Sequence, residues 1–194
     1  RYYSRGTPDR RGEGEKFLSR RPCVILDRDG VLNVKAEGGC YVSSADDWQW
    51  LPGAREGLRE LRELGTDVIV VTNQAGIARG MLSEAQLASI HARMRAEAQA
   101  AGGEILDVLV CPHHWDDGCE CRKPKAGMLL SAQRTHGLDL SLTPFVGDDV
   151  RDGQAAAWVD APFFQVDPNT GLVQAIPALL EFVRANGQGQ KPIA

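Results

Sequence analysis

Several things are absent from this sequence. No stretch is both long and apolar enough to span a bilayer. No pattern of basic start, apolar run and small-residue cleavage site occurs, and the expected location is the cytoplasm. There is no basic excess: 22 Lys and Arg stand against 26 Asp and Glu, a net charge of −4. Nucleic-acid binders usually carry a basic face, so nucleic acid is not an expected partner. No internal repeat and no low-complexity segment is present. Cysteine is sparse and odd in number, at positions 23, 40, 111, 119 and 121. Three of the five crowd into residues 111–121. That is a poor disulfide framework and suits a metal site in a reducing compartment better.

What is present reads as one globular α/β domain. The 194 residues are 43% hydrophobic and 25% charged, the balance of an ordinary folded domain of this size. Charge is uneven along the chain. Residues 1–21 carry seven Lys and Arg against three Asp and Glu. A basic N-terminal tail is expected over residues 1–22, and the domain proper over 23–194. Short apolar, β-branched runs at Cys23–Asp27, Asp67–Thr72, Ile105–Cys111, Pro144–Gly147 and Phe163–Val166 predict five strands. Helical spacing predicts helices over Pro52–Leu64, Ser83–Ala101, Ala126–His136, Asp152–Trp158 and Leu172–Ala185. Ser83 with Gln86 forms a capping box, and Gly65 and Gly137 act as stops. Strands alternating with helices predict a mostly parallel sheet covered on both faces. In such a sheet, function collects at the carboxyl ends of the strands.

Four polar motifs stand at those ends. Asp27-Arg28-Asp29-Gly30 follows the first strand, and Thr72-Asn73-Gln74 closes the second. Cys121-Arg122-Lys123-Pro124-Lys125 follows the third. Val146-Gly147-Asp148-Asp149-Val150-Arg151-Asp152 closes the fourth, an acidic cluster that could bind a hard cation. Each alone also fits an ordinary strand-to-loop turn, where Asp-Gly and Asn are common. Acids beyond a strand also suit a helix N-terminus. The ordered set of acidic pair, hydroxyl, lysine and acidic pair is far more specific. A separate group, Cys111-Pro112-His113-His114 followed by Cys119-Glu120-Cys121, offers four soft or borderline ligands in eleven residues, a tetrahedral zinc set. His113 and His114 compete for one of the four positions.

With these motifs the chain resembles the haloacid dehalogenase superfamily of phosphatases over residues 23–166. The resemblance implies a Rossmann-like domain with sheet order 3-2-1-4-5, no cap domain and a zinc-binding loop. It implies a magnesium-dependent phosphomonoesterase. Asp27 would be the nucleophile forming an aspartyl-phosphate, Asp29 the general acid and base, and Lys123 the balancing cation. Magnesium would be held by Asp27, Asp29 through its main-chain carbonyl, and Asp148. Thr72, Asn73, Gln74, Arg79 and Arg122 would contact substrate. Zinc would be structural, on Cys111, His113, Cys119 and Cys121, because four protein ligands leave no open position. Without a cap, selectivity falls to the loops Lys35–Tyr41 and Asn73–Arg79 and to the zinc loop with Arg122.

The zinc-loop pattern further resembles two branches of the superfamily. One removes the 7-phosphate of D-glycero-D-manno-heptose 1,7-bisphosphate and the other acts on histidinol phosphate. Thr72–Gly80, Cys111–His114 and Lys125–Met128 resemble the former, which is the expectation. The short gap between His113 and Cys119 resembles the latter. Arg79, Arg122 and Lys125 would hold a second phosphate, whereas Asp116, Asp117 and Glu120 would suit the cationic histidinol substrate. The expected partner is a small phosphorylated metabolite, with no membrane or nucleic acid, and a monomer is expected. A non-catalytic zinc-containing sugar-phosphate binder is the reading from another class.

Overall fold

The strands of this protein are apolar on both sides, and that decides how they assemble. In a computed structural model, which describes residues 21–36, 38 and 40–187, they form one five-stranded sheet. The order is β3-β2-β1-β4-β5. The strands are β1 (Cys23–Leu26), β2 (Asp67–Asn73), β3 (Asp107–Cys111), β4 (Phe145–Gly147) and β5 (Phe163–Gln165). Every pairing is parallel, with Leu26 opposite both Val70 and Val146. Side chains alternate across a strand. Val24 and Leu26 therefore enter one core, and Cys23 and Ile25 the other.

Five helices cover the two faces: α1 (Ala54–Glu63), α2 (Glu84–Ala100), α3 (Gly127–His136), α4 (Val150–Ala157) and α5 (Leu172–Gly187). Leu58 and Leu61 of α1, Ile90 and Met94 of α2, and Leu172 and Leu179 of α5 fill the larger core. Met128, Leu129 and Ala132 of α3 and Ala155 and Ala156 of α4 fill the other. The capping box of Ser83 and Gln86 opens α2, and Gly137, at φ 62°, closes α3. No cap domain is inserted among the described residues, and none of their helices is long and apolar enough to cross a membrane. Residues 1–20, most of the expected basic tail, lie outside the described residues.

Several boundaries differ from expectation by one or a few residues, and two differences have identifiable reasons. Helix α4 begins at Val150 rather than Asp152, because Asp149 serves as its N-cap. The Asp149 side chain accepts from the Arg151 amide, and Asp152, three residues on, accepts from the Asp149 amide. This is a capping box built from two acids instead of Ser and Glu. A short 3-10 turn at Leu140–Leu142 between α3 and β4 was not anticipated. Asp139 caps it through the Ser141 amide.

Gly147 shows how tightly β4 meets α4. A Cβ there would collide with the side chain of Asp152. Gly147→Ala is therefore expected to cost about 1–3 kcal/mol through overpacking, and to shift Asp152 from its place. Chemical denaturation of the variant checks the stability change.

Candidate active site

Strand order brings the site together. β1 and β4 are neighbours, so the residues just beyond them lie side by side. The Asp27 amide continues the pairing by donating to the Val146 carbonyl at 2.9 Å. Asp27, Asp148 and Asp152 each bring a carboxylate oxygen within 4.8 Å of the others.

A buried lysine makes that crowding tolerable. Lys123 Nζ lies 2.8 Å from Asp27 Oδ1, 2.7 Å from Asp152 Oδ1 and 3.2 Å from the Val71 carbonyl. All three ammonium protons thus find acceptors. Burial works against the Lys123 charge, but Asp27 and Asp152 outweigh it and raise the pKa above its ordinary value. Burial likewise lifts the Asp27 carboxyl to about 6, although Lys123 pulls it back. The backbone of Lys123 is clamped by Asn73, whose Oδ1 accepts from the Lys123 amide (3.1 Å) and whose Nδ2 donates to its carbonyl (3.0 Å).

Asp29 occupies a different setting. Arg28, fully buried, donates through Nη2 to both of its oxygens at 2.9 and 3.0 Å. Asn33 Nδ2 and Gln74 Nε2 each add a bond at 2.9 Å. Burial favours the neutral acid, but the Arg28 charge and these bonds hold the carboxyl below the usual carboxylate range. Gln74 also donates to Thr72 Oγ1.

The acids can hold a hard divalent cation. Asp148 Oδ1 is buried without a hydrogen-bond partner, while Oδ2 is paired with the Lys35 ammonium. Asp152 is less available, since Oδ1 meets Lys123 and Oδ2 accepts from the Asp149 amide. That leaves Asp27 and Asp148 as the side-chain donors, in a carboxylate-oxygen environment of the kind Mg²⁺ uses.

The sulfur cluster fits a different ion. Cys111 Sγ lies 3.7 Å from Cys119 Sγ and 3.7 Å from His113 Nδ1. Cys121 Sγ lies 3.6 Å from Cys119 Sγ and 3.1 Å from His113 Nδ1. A tetrahedron with Zn–S bonds of ~2.3 Å has sulfur–sulfur edges of roughly 3.7 Å. His113 is the fourth member. His114 is turned aside, stacked on Trp115 at 3.9 Å and paired with Asp116 at 3.3 Å.

One pocket is lined by the expected Asp27, Asp29, Thr72, Asn73 and Lys123. Lys35, from the loop expected to set selectivity, and Asp149, Arg151 and Asp152, from the acidic motif beyond β4, also line it, although no individual role was expected of them. Asp152 belongs to that acidic motif and also opens the expected helix, and its place three residues after Asp149 is the spacing of a capping pair. Four of the residues expected to contact substrate have other neighbours in this substrate-free geometry. Both ends of the Asn73 amide are occupied by Lys123, and Gln74 stands behind Asp29 as a brace. Arg79 does not line this pocket: its guanidinium lies 5.8 Å from the Tyr41 ring and 5.3 Å from the Trp115 ring. Arg122 does not line it either, but its Nη1 is buried and has no hydrogen-bond partner.

Residues 23–163 match the family model described as Polynucleotide kinase 3 phosphatase. The D-glycero-beta-D-manno-heptose-1,7-bisphosphate 7-phosphatase of Pseudomonas aeruginosa is 45% identical over 152 residues, covering 78% of this chain and 84% of that protein. The D,D-heptose 1,7-bisphosphate phosphatase of Bordetella bronchiseptica, solved with magnesium and phosphate, superposes with a TM-score of 0.73 at 39% identity. It covers 81% of this chain and 86% of its own. A HAD-like phosphatase of Mesorhizobium loti superposes at 0.74 with 27% identity, over 86% and 87% of the two chains. The chain belongs to the haloacid dehalogenase phosphatases. As a phosphatase of this family it works on phosphate monoesters.

In this phosphatase, removing the buried ammonium would leave two carboxylates facing each other without compensation. Lys123→Met should destabilise the fold by about 3–5 kcal/mol. Adding Asp152→Asn should recover part of that loss, because one of the stranded charges is then gone. Urea denaturation of the single and double variants measures both.

Proposed function

We propose that this phosphatase removes the 7-phosphate of D-glycero-D-manno-heptose 1,7-bisphosphate through a covalent intermediate on Asp27. The convergence of Asp27, Lys123 and Asp148 beyond adjacent parallel strands carries the chemical part of the reading. The names and identities of the relatives from Pseudomonas aeruginosa and Bordetella bronchiseptica support the substrate.

A carboxylate oxygen of Asp27 attacks phosphorus, and the bond from phosphorus to the sugar oxygen breaks. The leaving oxygen takes its proton from Asp29. Water then attacks the aspartyl-phosphate, gives a proton back to Asp29 and releases phosphate, regenerating the Asp27 carboxylate. In the substrate-free geometry Arg28 keeps Asp29 ionised. A phosphate dianion seated beside it raises its proton affinity by like-charge repulsion, which is what the acid role requires. Thr72 Oγ1 accepts from Gln74, so its own proton is left for a phosphoryl oxygen. Asp27, Asp148 and the main-chain carbonyl of Asp29 would hold Mg²⁺, which would supply charge neutralisation for the phosphoryl group. Zn²⁺ on Cys111, His113, Cys119 and Cys121 fixes the loop between β3 and Lys123.

The zinc-loop acids that would suit histidinol phosphate have neighbours of their own: Asp116 lies 3.3 Å from His114, Asp117 accepts from the His114 amide, and Glu120 pairs with Lys125. Asp116 and Glu120 are 79% and 86% exposed, so these contacts exchange at small cost and do not decide the substrate. Lys125 and Arg122 are the cations at hand for contact with a second phosphate. Arg122, with its unpartnered buried Nη1, is the better candidate for that contact. A polynucleotide end, as the family model's name would suggest, is disfavoured by the net charge of −4.

Four measurements test this reading. The heptose bisphosphate should exceed histidinol phosphate at least tenfold in kcat/KM, about 1.4 kcal/mol of transition-state preference. The reverse order would overturn the substrate, while wild-type kcat in Asp27→Asn would overturn the covalent step. Elemental analysis of protein purified without chelator should find about one zinc per chain, as one four-ligand site requires. Stripping it should lower the melting temperature, since metal binding is coupled to folding.

A further inference from the structure

His91 stands outside the pocket, on α2, yet it reaches the reacting groups through one residue. Its Nε2 lies 3.1 Å from Arg28 Nη1. A guanidinium only donates, so His91 Nε2 must be the acceptor and its ring proton sits on Nδ1. The same guanidinium directs Nη2 at both oxygens of Asp29. Arg28 is buried to 1% exposure and its Nε has no partner. Apart from Asp29, His91 is the only group among the described residues shown accepting from this side chain. The helix that carries His91 is itself fixed. Its N-terminus is boxed by Ser83 and Gln86, Ile90 and Met94 are fully buried, and Glu97 accepts from Trp50 Nε1.

We propose that His91 is a positioning residue for Asp29, setting the plane of the Arg28 guanidinium and through it the orientation of the general acid. This rests on the reading of Asp29 as the proton donor. Burial, then the charge of Arg28, pushes the His91 pKa down to about 4, so the imidazole stays a neutral acceptor near neutral pH. Nothing else on α2 touches the site, which separates His91 from the helix's packing residues. A residue that acts only through the general acid has a distinctive kinetic effect. Its loss matters when the leaving oxygen needs a proton and is muted when the leaving group departs unaided.

The test compares an alkyl phosphate with p-nitrophenyl phosphate. His91→Leu keeps the bulk without the acceptor, and His91→Gln keeps an acceptor oxygen. His91→Leu should lower the rate of the leaving-group step on the alkyl phosphate about tenfold, a fraction of what general acid catalysis supplies, with KM and the pre-steady-state release of p-nitrophenol little changed. His91→Gln should restore most of the rate. In an Asp29→Asn background, His91→Leu should cause no further loss. If His91→Leu folds poorly, His91→Asn, too short to reach Arg28, takes its place. Equal losses on both substrates, no loss on either, or a full loss in the Asp29→Asn background would each overturn the role of His91. The underlying reading is judged separately: Asp29→Asn that slows both substrates equally removes Asp29 as the acid, and the inference falls with it.

Discussion

Lys123 is the interaction on which the site depends. Carboxylates brought together by neighbouring parallel strands repel one another, and burial makes that repulsion costly. A single ammonium between Asp27 and Asp152 permits the arrangement. The remaining acids are matched in the same way: Asp29 with Arg28, Asp148 with Lys35, and Asp149 with Arg151. The four cations fall into two kinds. Lys123 and Arg28 are 3% and 1% exposed, whereas Lys35 and Arg151 are 40% and 48% exposed. The inner two are permanent parts of the fold, since withdrawing either would strand a buried charge. Arg151, whose partner Asp149 is 28% exposed, can leave at small cost, whereas Lys35 can leave the 2% exposed Asp148 only when another cation takes its place. The Lys35 ammonium meets Asp148 in the acidic cluster where a divalent cation fits, so the outer shell is the part that exchanges during binding.

How much of this could be read from the sequence depended on whether a signal was local. Strands β1 and β2 were legible because β-branched runs buried on both faces leave few other options. The capping box at Ser83 and the stop at Gly137 were legible because they involve only neighbours in sequence. Asp27, Lys123 and Asp148 were legible because each follows a strand in a characteristic order. Asp152 was not, because an acid in the first turn of a helix is common and its ion pair reaches 29 positions back to Lys123. Arg28 looked like a spacer between two acids, yet it is among the most buried large side chains. His91, 63 residues away from it, gave no local sign at all. Arg79 failed in the opposite direction. Its motif was right, but Tyr41 and Trp115 compete for its guanidinium through contacts that no linear pattern displays.

The same Arg79 contacts bear on how selectivity arises without a cap. Tyr41 belongs to the loop after β1, Arg79 to the loop after β2, and Trp115 to the zinc loop after β3. Gly76 lies directly against the Tyr41 ring, leaving no room for a side chain there. Three loops from three strand ends are therefore joined by one stacked cation, which gives the rim a wall that a cap would otherwise supply.

The zinc loop ties this wall to the chemistry. Its last ligand, Cys121, precedes Lys123 by two residues, and Gly127 at the start of α3 packs against the Glu120 carbonyl so closely that a Cβ could not fit. The chain between the cluster and α3 thus has little freedom at either end. Asn73 then fastens the Lys123 backbone at both its amide and its carbonyl. An ion that organises the cluster fixes where the ammonium can stand, and the ammonium in turn fixes how closely Asp27 and Asp152 approach. Order at the sulfur cluster is thus connected to the Asp27 carboxylate by a short, tethered stretch of backbone, and under the proposed reading a metal with no open coordination position would still bear on the proposed nucleophile.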